Sequence, residues 1–375
     1  MTKILMLVNW KVARGTQVPE GKQPPDYVVE GQPYWFYRYF KEQVQVDVLD
    51  ISSLPAIEKL EREKLRFYVL QALRAIPRLH KYDLVVSHGM QSGVVVSLWR
   101  RFFPGRYKHI VFEIGSFNSA SESGGALKLM QFASKSIDGL IYHTGTQKTY
   151  YEKCFPWLTD RARFIRFGTD SLFFGTKDTP EQTAEDGALL CVGYIKRDWD
   201  TLVKAYALFA EKLTAAGKAS EEIPALKLVG KDRCEAAEQI QLPAGAQICM
   251  VPYIPMQDLK EEIKKAAFSI LPLENFNYSF GQMTLLQQMA MGKAVITARV
   301  CSMLDYVEDN KNAVFYQAKD AADLSEKMLG LWEDRQLCTV LGANAAEYVR
   351  REHNEKDMAE QIEVFYQEVL RGEIV

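Results

Sequence analysis

A chain of 375 residues exceeds one ordinary hydrophobic core and predicts two domains, each burying its own sheet. Hydrophobic residues at 47% and charged residues at 25% exclude a disordered or low-complexity chain, and no apolar run reaches the roughly 20 residues that span a bilayer. The formal net charge of −2 divides unevenly, with 25 Lys+Arg against 17 Asp+Glu in residues 1–180 and 21 against 31 in the rest.

In chain order, short β-branched apolar runs alternate with longer helical patterns, the sequence signal for a parallel sheet with crossover helices. Strands are predicted at KILMLVN, VQVDVLDI, DLVVSH, HIVFEIG, GLIYHT and RFIRFG, with helices near 33–43, 56–80, 92–103, 124–136 and 145–154. A polar stretch, GTKDTPEQTAEDG, follows Phe174 and reads as a linker over 175–187. Beyond it the alternation restarts: strand ALLCVG, helix TLVKAYALFAEKL, strands ALKLVG and QICMVPY, helix DLKEEIKKA, strand FSILPL, helix MTLLQQMAM and strand AVITA. The expected organisation is an N-terminal domain over 1–174, a C-terminal domain over 188–350 and a C-terminal helix over 351–375, lying against either domain. Residues 333–371 read as helical throughout. The N-terminal MTKILMLVNW carries no cleavable signal pattern, so a cytoplasmic protein is expected. Six cysteines without metal-ligand spacing are expected to be reduced, mostly buried thiols.

Ligands of open α/β sheets settle at the carboxyl ends of strands, so the loops after each strand carry the functional signal. In LLCVGYIKRDWDTLVKAY, a tight turn at Gly193 and Tyr194 is followed by Lys196, Arg197 and a helix opening at Asp198. Helix-start amides beside fixed cations suit a diphosphate; a solvated turn capped by Asp198 is the plainer alternative. Asp198-Trp199-Asp200 also has the spacing of a metal-binding pair, but at a helix start capping is the better expectation, and no metal is predicted. In NYSFGQMTLLQQMAMGKAVI, Ser279, Phe280 and Gly281 lead into a helix presenting Gln282, Met283 and Thr284, then Gln287 one turn on. These groups suit hydroxyls of a sugar or ribose, or else form the amide-rich end of a buried helix that Gly292 terminates.

These segments resemble retaining glycosyltransferases of family 4, whose fold is GT-B. FIRFGTDSLFF resembles the family's hinge through Gly168, Asp170 and Phe174; LLCVGYIKRDW its phosphate-binding turn; ALKLVGKD the next strand with its Gly230 turn; MVPYIPMQDL the base-binding loop; LLQQMAMGKAVITA its signature helix; and SMLDYV its acidic segment near Asp305. The resemblance implies an α/β architecture of two Rossmann-like doubly wound parallel-sheet domains facing a cleft, with the donor nucleotide sugar in the second domain and the acceptor in the first. Transfer of a sugar, with retention, from a nucleotide diphosphate sugar, UDP-linked by prior frequency, to a saccharide or lipid-linked acceptor would follow, without cofactor or nucleic-acid partner. Carried over, Arg197 and Lys196 would neutralise the departing diphosphate. Tyr253 and Ile254 would flank the base, and Gly281, Gln282, Met283 and Thr284 would approach the donor.

The sequence departs from the family at three places. The paired glutamates fall on Ser279 and Gln287, the arginine after the glycine turn is Tyr194, and the histidine after the fourth strand is Glu113, while His88 ends the preceding strand. Glu113 would orient donor or acceptor, or make a structural hydrogen bond, and His88 and His143 carry the same alternatives. The lost carboxylates keep two rivals open: a noncatalytic sugar-nucleotide-binding scaffold and a nucleotide-sugar epimerase. Two aromatic and basic stretches, PYWFYRYFK (33–41) and WRRFFPGRYKH (99–109), leave open peripheral contact with an anionic membrane at its inner face, or a place in the core and at a helix end.

Overall fold

The computed structural model describes residues 1–20, 22–65, 67–115, 122–175, 187–193 and 195–374. The chain divides into two compact units. The first comprises Met1–Arg166, Asn277–Phe280 and Lys356–Val375, and the second Phe167–Phe276 and Gly281–Glu355. The division thus falls at Arg166–Phe167, ahead of Phe174, and the expected linker lies outside the described residues except for Gly175 and Gly187.

The first unit is built on a six-stranded parallel sheet of β1 (Thr2–Leu7), β4 (Val44–Leu49), β5 (Leu84–His88), β6 (Lys108–Glu113), β7 (Gly139–Tyr142) and β8 (Ala162–Phe164), in the order β4-β1-β5-β6-β7-β8. A small parallel ribbon, β2 (Ala13–Gly15) with β3 (Tyr27–Val29), precedes β4. Central strands such as Leu84–His88 are buried at every position, which is why they read as unbroken apolar runs rather than alternating ones. The C-terminal helix Glu355–Arg371 docks from Lys356 onward on this unit. Its buried Glu363 accepts the backbone N–H of Lys41 and Glu42 at 2.9 and 2.8 Å, and Phe365 lies 3.0 Å from where a side chain at Gly139 would begin.

The second unit repeats the plan with β9 (Leu189–Val192), β10 (Leu226–Val229), β11 (Ile248–Val251), β12 (Ser269–Leu271), β13 (Val295–Ala298) and β14 (Val314–Tyr316), all parallel, in the order β11-β10-β9-β12-β13-β14. Helix Trp199–Ala215 buries Leu202, Tyr206, Phe209 and Leu213, a spacing of three to four residues that matches its periodicity. The tail comprises two helices, Arg335–Glu352 and Glu355–Arg371, with the break at His353–Asn354, where Thr169 exchanges backbone hydrogen bonds with His353 and Glu355 at 2.9 Å each.

Two expected helices differ from the structure. Residues 33–43 form only a 3-10 turn, Trp35–Tyr39, whose Trp35, Phe36 and Tyr37 are buried, while Arg38 and Lys41 are exposed. Residues 56–80 break into short segments, Pro55–Leu60, Glu61–Leu65, Val69–Ala75 and the 3-10 turn Ile76–Lys81. Pro77 sits in that last turn, where it has no N–H to continue an α-helical ladder.

Candidate functional site

The second sheet fixes where a ligand can sit. From β9 the chain winds outward through β10 and β11, then returns to place β12 on the other side of β9, so the β9/β12 boundary is a topological switch point. At its carboxyl end Gly193 adopts φ +117°, and its N–H donates to the Val229 carbonyl at 2.9 Å. A methyl group at Gly193 would lie 2.3 Å from Nη2 of Arg197, so only glycine leaves the guanidinium its place.

Arg197 is buried, 6% exposed, and lies at this boundary: its backbone bridges to Leu273 just after β12. Its Nε and Nη2 donate to the Val192 carbonyl at 3.2 and 2.9 Å, and Nη1 to that of Ile195 at 3.3 Å. Burial pulls down the pKa of this guanidinium, against a smaller opposing effect of Cys191. Lys196 takes φ +52° and sets its ammonium 5.0 Å from the Phe276 ring; burial lowers its pKa, against a smaller opposing effect of Glu274. Asp198 caps helix Trp199–Ala215, accepting from the Thr201 N–H at 3.1 Å and its hydroxyl at 2.7 Å. Among the described residues no three His, Cys, Asp or Glu groups gather that could hold a metal ion, and all six cysteines are free.

A cavity of about 530 Å³ opens here, lined by Arg197, Asp198, Trp199, Lys231, Arg233 and Glu274, among others. Lys231, 5.1 Å over the Trp199 ring, follows Gly230, which has φ +96° and packs against Gly193. Lys231, Arg233, Trp199 and Glu274 were not among the predicted site residues; the only signal for the first was its place directly after the Gly230 turn.

The remaining predicted residues separate by unit. Tyr253, 78% exposed, and Ile254 follow edge strand β11. Gly281, at φ +86°, opens helix Gln282–Ala290 without a side-chain cap. Gln282 is buried and its amide donates to the Ser302 carbonyl at 3.1 Å; Met283 is half exposed, Thr284 partly buried and Gln287 buried. Ser279 and Phe280 belong with the first unit, where the neighbouring Asn277 accepts from the Thr146 hydroxyl at 2.6 Å and Tyr278 packs on Gly115. Tyr194 lies outside the described residues.

The first sheet has its own switch point, between β1 and β5. His88 ends β5 there, with Trp10 edge-on at 4.7 Å and Phe112 stacked at 5.7 Å, and its Nδ1 has no hydrogen-bond partner among the described residues. Burial lowers the His88 pKa to about 3, with His143 adding a smaller effect. His143 hydrogen-bonds the Ile165 carbonyl at 2.6 Å, and burial lowers its pKa to about 4. Glu113 is fully buried and accepts the Gly115 N–H.

Against this geometry, comparison with known proteins is informative. Residues 181–348 match the model of glycosyl transferases group 1. That match covers the second unit's switch point and its cavity. No curated protein sequence matches the chain. Among solved structures it is similar to sucrose-phosphate synthase from Thermosynechococcus elongatus, at 18% identity, TM-score 0.69, covering 99% of this chain and 100% of that one. It is also similar to Anabaena HepE in complex with UDP-glucose, at 14% identity, TM-score 0.66, covering 98% and 100%. A third is the N-terminal domain of Candida albicans trehalose-6-phosphate phosphatase, at 11% identity, TM-score 0.68, covering 99% and 97%. The fold is GT-B: two Rossmann-like α/β units, each on a parallel sheet.

Proposed function

We propose that the chain is a retaining, family 4 type glycosyltransferase that moves a sugar from a nucleotide diphosphate sugar, UDP-linked, to a saccharide or lipid-linked acceptor. The observation that carries this is the Gly193–Arg197 turn at the switch point of a unit that matches the group 1 model. During transfer the bond from the anomeric carbon to the diphosphate breaks and negative charge grows on the leaving group. Arg197 and Lys196, with the uncapped start of helix Gln282–Ala290, are the groups suited to meet that charge, and fixed donors of this kind account for ~10²- to 10³-fold in rate each. The reaction is proposed to run without a metal or other cofactor. UDP bound to a similar fold in Anabaena HepE supports the choice of nucleotide.

Acceptor binding is assigned to the first unit, where Trp10 beside His88 offers an aromatic face at the switch point. That unit holds 26 Lys+Arg against 20 Asp+Glu, and on it Phe102 and Phe103 are 68% and 57% exposed, with Arg101 5.0 Å over Phe132. No helix among the described residues is long and apolar enough to cross a membrane. This aromatic and basic surface supports peripheral contact with an anionic bilayer, and with it a lipid-linked acceptor.

The test is calorimetric titration with UDP, ADP and GDP, followed by transfer assays over a panel of UDP-sugars, for the wild type and Arg197→Ala. Selective UDP binding with turnover, and a loss of ~10²-fold or more in kcat/KM on substitution, is expected. Absence of nucleotide binding refutes the assignment. Binding without turnover on every acceptor favours a scaffold, and release of an epimerised sugar favours an epimerase.

A further inference from the structure

A second cavity, of about 380 Å³, lies on the first unit beside edge strand β4. Its charged lining is Arg14 from β2, Asp47 from β4, and Arg74 and Arg78 from the segment after Val69; Tyr82 completes the polar wall. Leu5, Val46, Val48 and Ala75 supply apolar surface.

The charge balance of this cavity is unusual. Asp47 is its only carboxylate, and it accepts the Tyr82 hydroxyl at 2.6 Å. Among the described residues none of the three arginines pairs with a carboxylate, whereas Arg100, Arg163, Arg233, Arg299 and Arg350 all do. Arg14 donates from one nitrogen to the Val48 carbonyl at 2.5 Å and Arg74 from one to the Ser52 carbonyl at 2.7 Å, which ties each to the backbone while leaving most of its five N–H donors. Arg78 is close enough to Tyr82 to favour its phenolate, against the stronger effects of burial and Asp47. Three guanidinium groups line this one concavity, and an anion with several acceptor oxygens can take charge-assisted, bidentate hydrogen bonds from them. The volume falls within the ~300–1,000 Å³ of small-molecule sites, larger than a bare oxyanion needs, and the apolar wall suits a carbon skeleton.

We propose that this cavity is a binding site for a soluble phosphomonoester with a small organic body, separate from the nucleotide-sugar site of the second unit. Its phosphate sits among Arg14, Arg74 and Arg78, and its body lies against Val46, Val48 and Ala75. The site lies wholly on the first unit, so it stands whether or not the proposed sugar transfer is correct.

The test is isothermal titration of the full chain, kept saturated with UDP to occupy any nucleotide site, using ribose 5-phosphate, inorganic phosphate and ribose as probes. Saturable binding is expected for ribose 5-phosphate, weaker binding for inorganic phosphate and none for ribose, with affinity falling as salt rises. Arg78→Gln, whose side chain holds no backbone carbonyl in place, should weaken ribose 5-phosphate at least 10-fold without moving Tm. Arg14→Gln should weaken it similarly, and Asp47→Asn should strengthen it. No saturation by either phosphate up to 10 mM overturns the proposal, as does affinity unchanged in Arg78→Gln; equal binding of ribose and its phosphate overturns the assignment of the arginines.

Discussion

Replacing Gly193 by alanine tests whether the buried guanidinium of Arg197 is a fixed part of the site. At φ +117° a side chain strains the backbone by about 1–3 kcal/mol. The new methyl also lies 2.3 Å from Nη2, 2.7 Å from Cζ and 3.0 Å from Nε of Arg197, so the guanidinium must leave. With it go the bonds to the Val192 carbonyl, and hydrogen bonds from a charged donor contribute about 1.5–3 kcal/mol. Gly193→Ala should therefore destabilise the second unit by about 2.5–6 kcal/mol. Arg197→Ala removes the same bonds without the strain, so the double variant should fall short of the sum of the singles by about 1.5–3 kcal/mol. Urea denaturation of the four proteins, alongside UDP titration, reads both quantities. Additivity within about 0.5 kcal/mol, or a cost below 1 kcal/mol for Gly193→Ala, refutes the argument that the glycine exists to seat this arginine.

Two further predictions concern the first unit. His88, His109 and His143 are buried there with pKa values lowered to about 3, 3 and 4, first by desolvation, so the unfolded chain binds more protons than the folded one below the ordinary histidine pKa near 6.5. Stability is complete above pH 6.5 and falls as the pH drops toward 4; at pH 5.5 each histidine costs about 1.4 kcal/mol, roughly 4 in all, and chemical denaturation at pH 7.5 and 5.5 showing less than about 1 kcal/mol of difference contradicts the burial. Phe102→Ser with Phe103→Ser should cut co-sedimentation with phosphatidylglycerol vesicles several-fold while leaving phosphatidylcholine controls unchanged, and equal sedimentation of wild type and variant removes the membrane surface from the functional assignment.

What was legible in the sequence follows from the physics of each element. Strands buried on both faces announce themselves as apolar runs, and among the described residues eleven of the fourteen strands are readable in the sequence; the short ribbon of β2 and β3 and the three-residue edge strand β14 are not. Residues 33–43 misled because burial of Trp35, Phe36 and Tyr37 uses a 3-10 turn entered through a positive φ at Trp35, which mimics helical periodicity over too few residues to tell apart. The site divides along the same line. Gly193, Arg197 and Asp198 are adjacent in sequence and were readable as one turn, whereas Lys231 and Glu274 join them only because β10 and β12 flank β9. The arginine cavity is a stronger instance: Arg14, Arg74 and Arg78 share no motif, and it is the pairing of β4 with β1, returning the chain to the sheet edge, that sets β2 and the segment after Val69 around one concavity. Local pattern therefore reveals sites built within one loop, while sites built by strand order stay hidden until the crossovers are known, and in a doubly wound sheet those crossovers are also what creates the crevice that a ligand can enter.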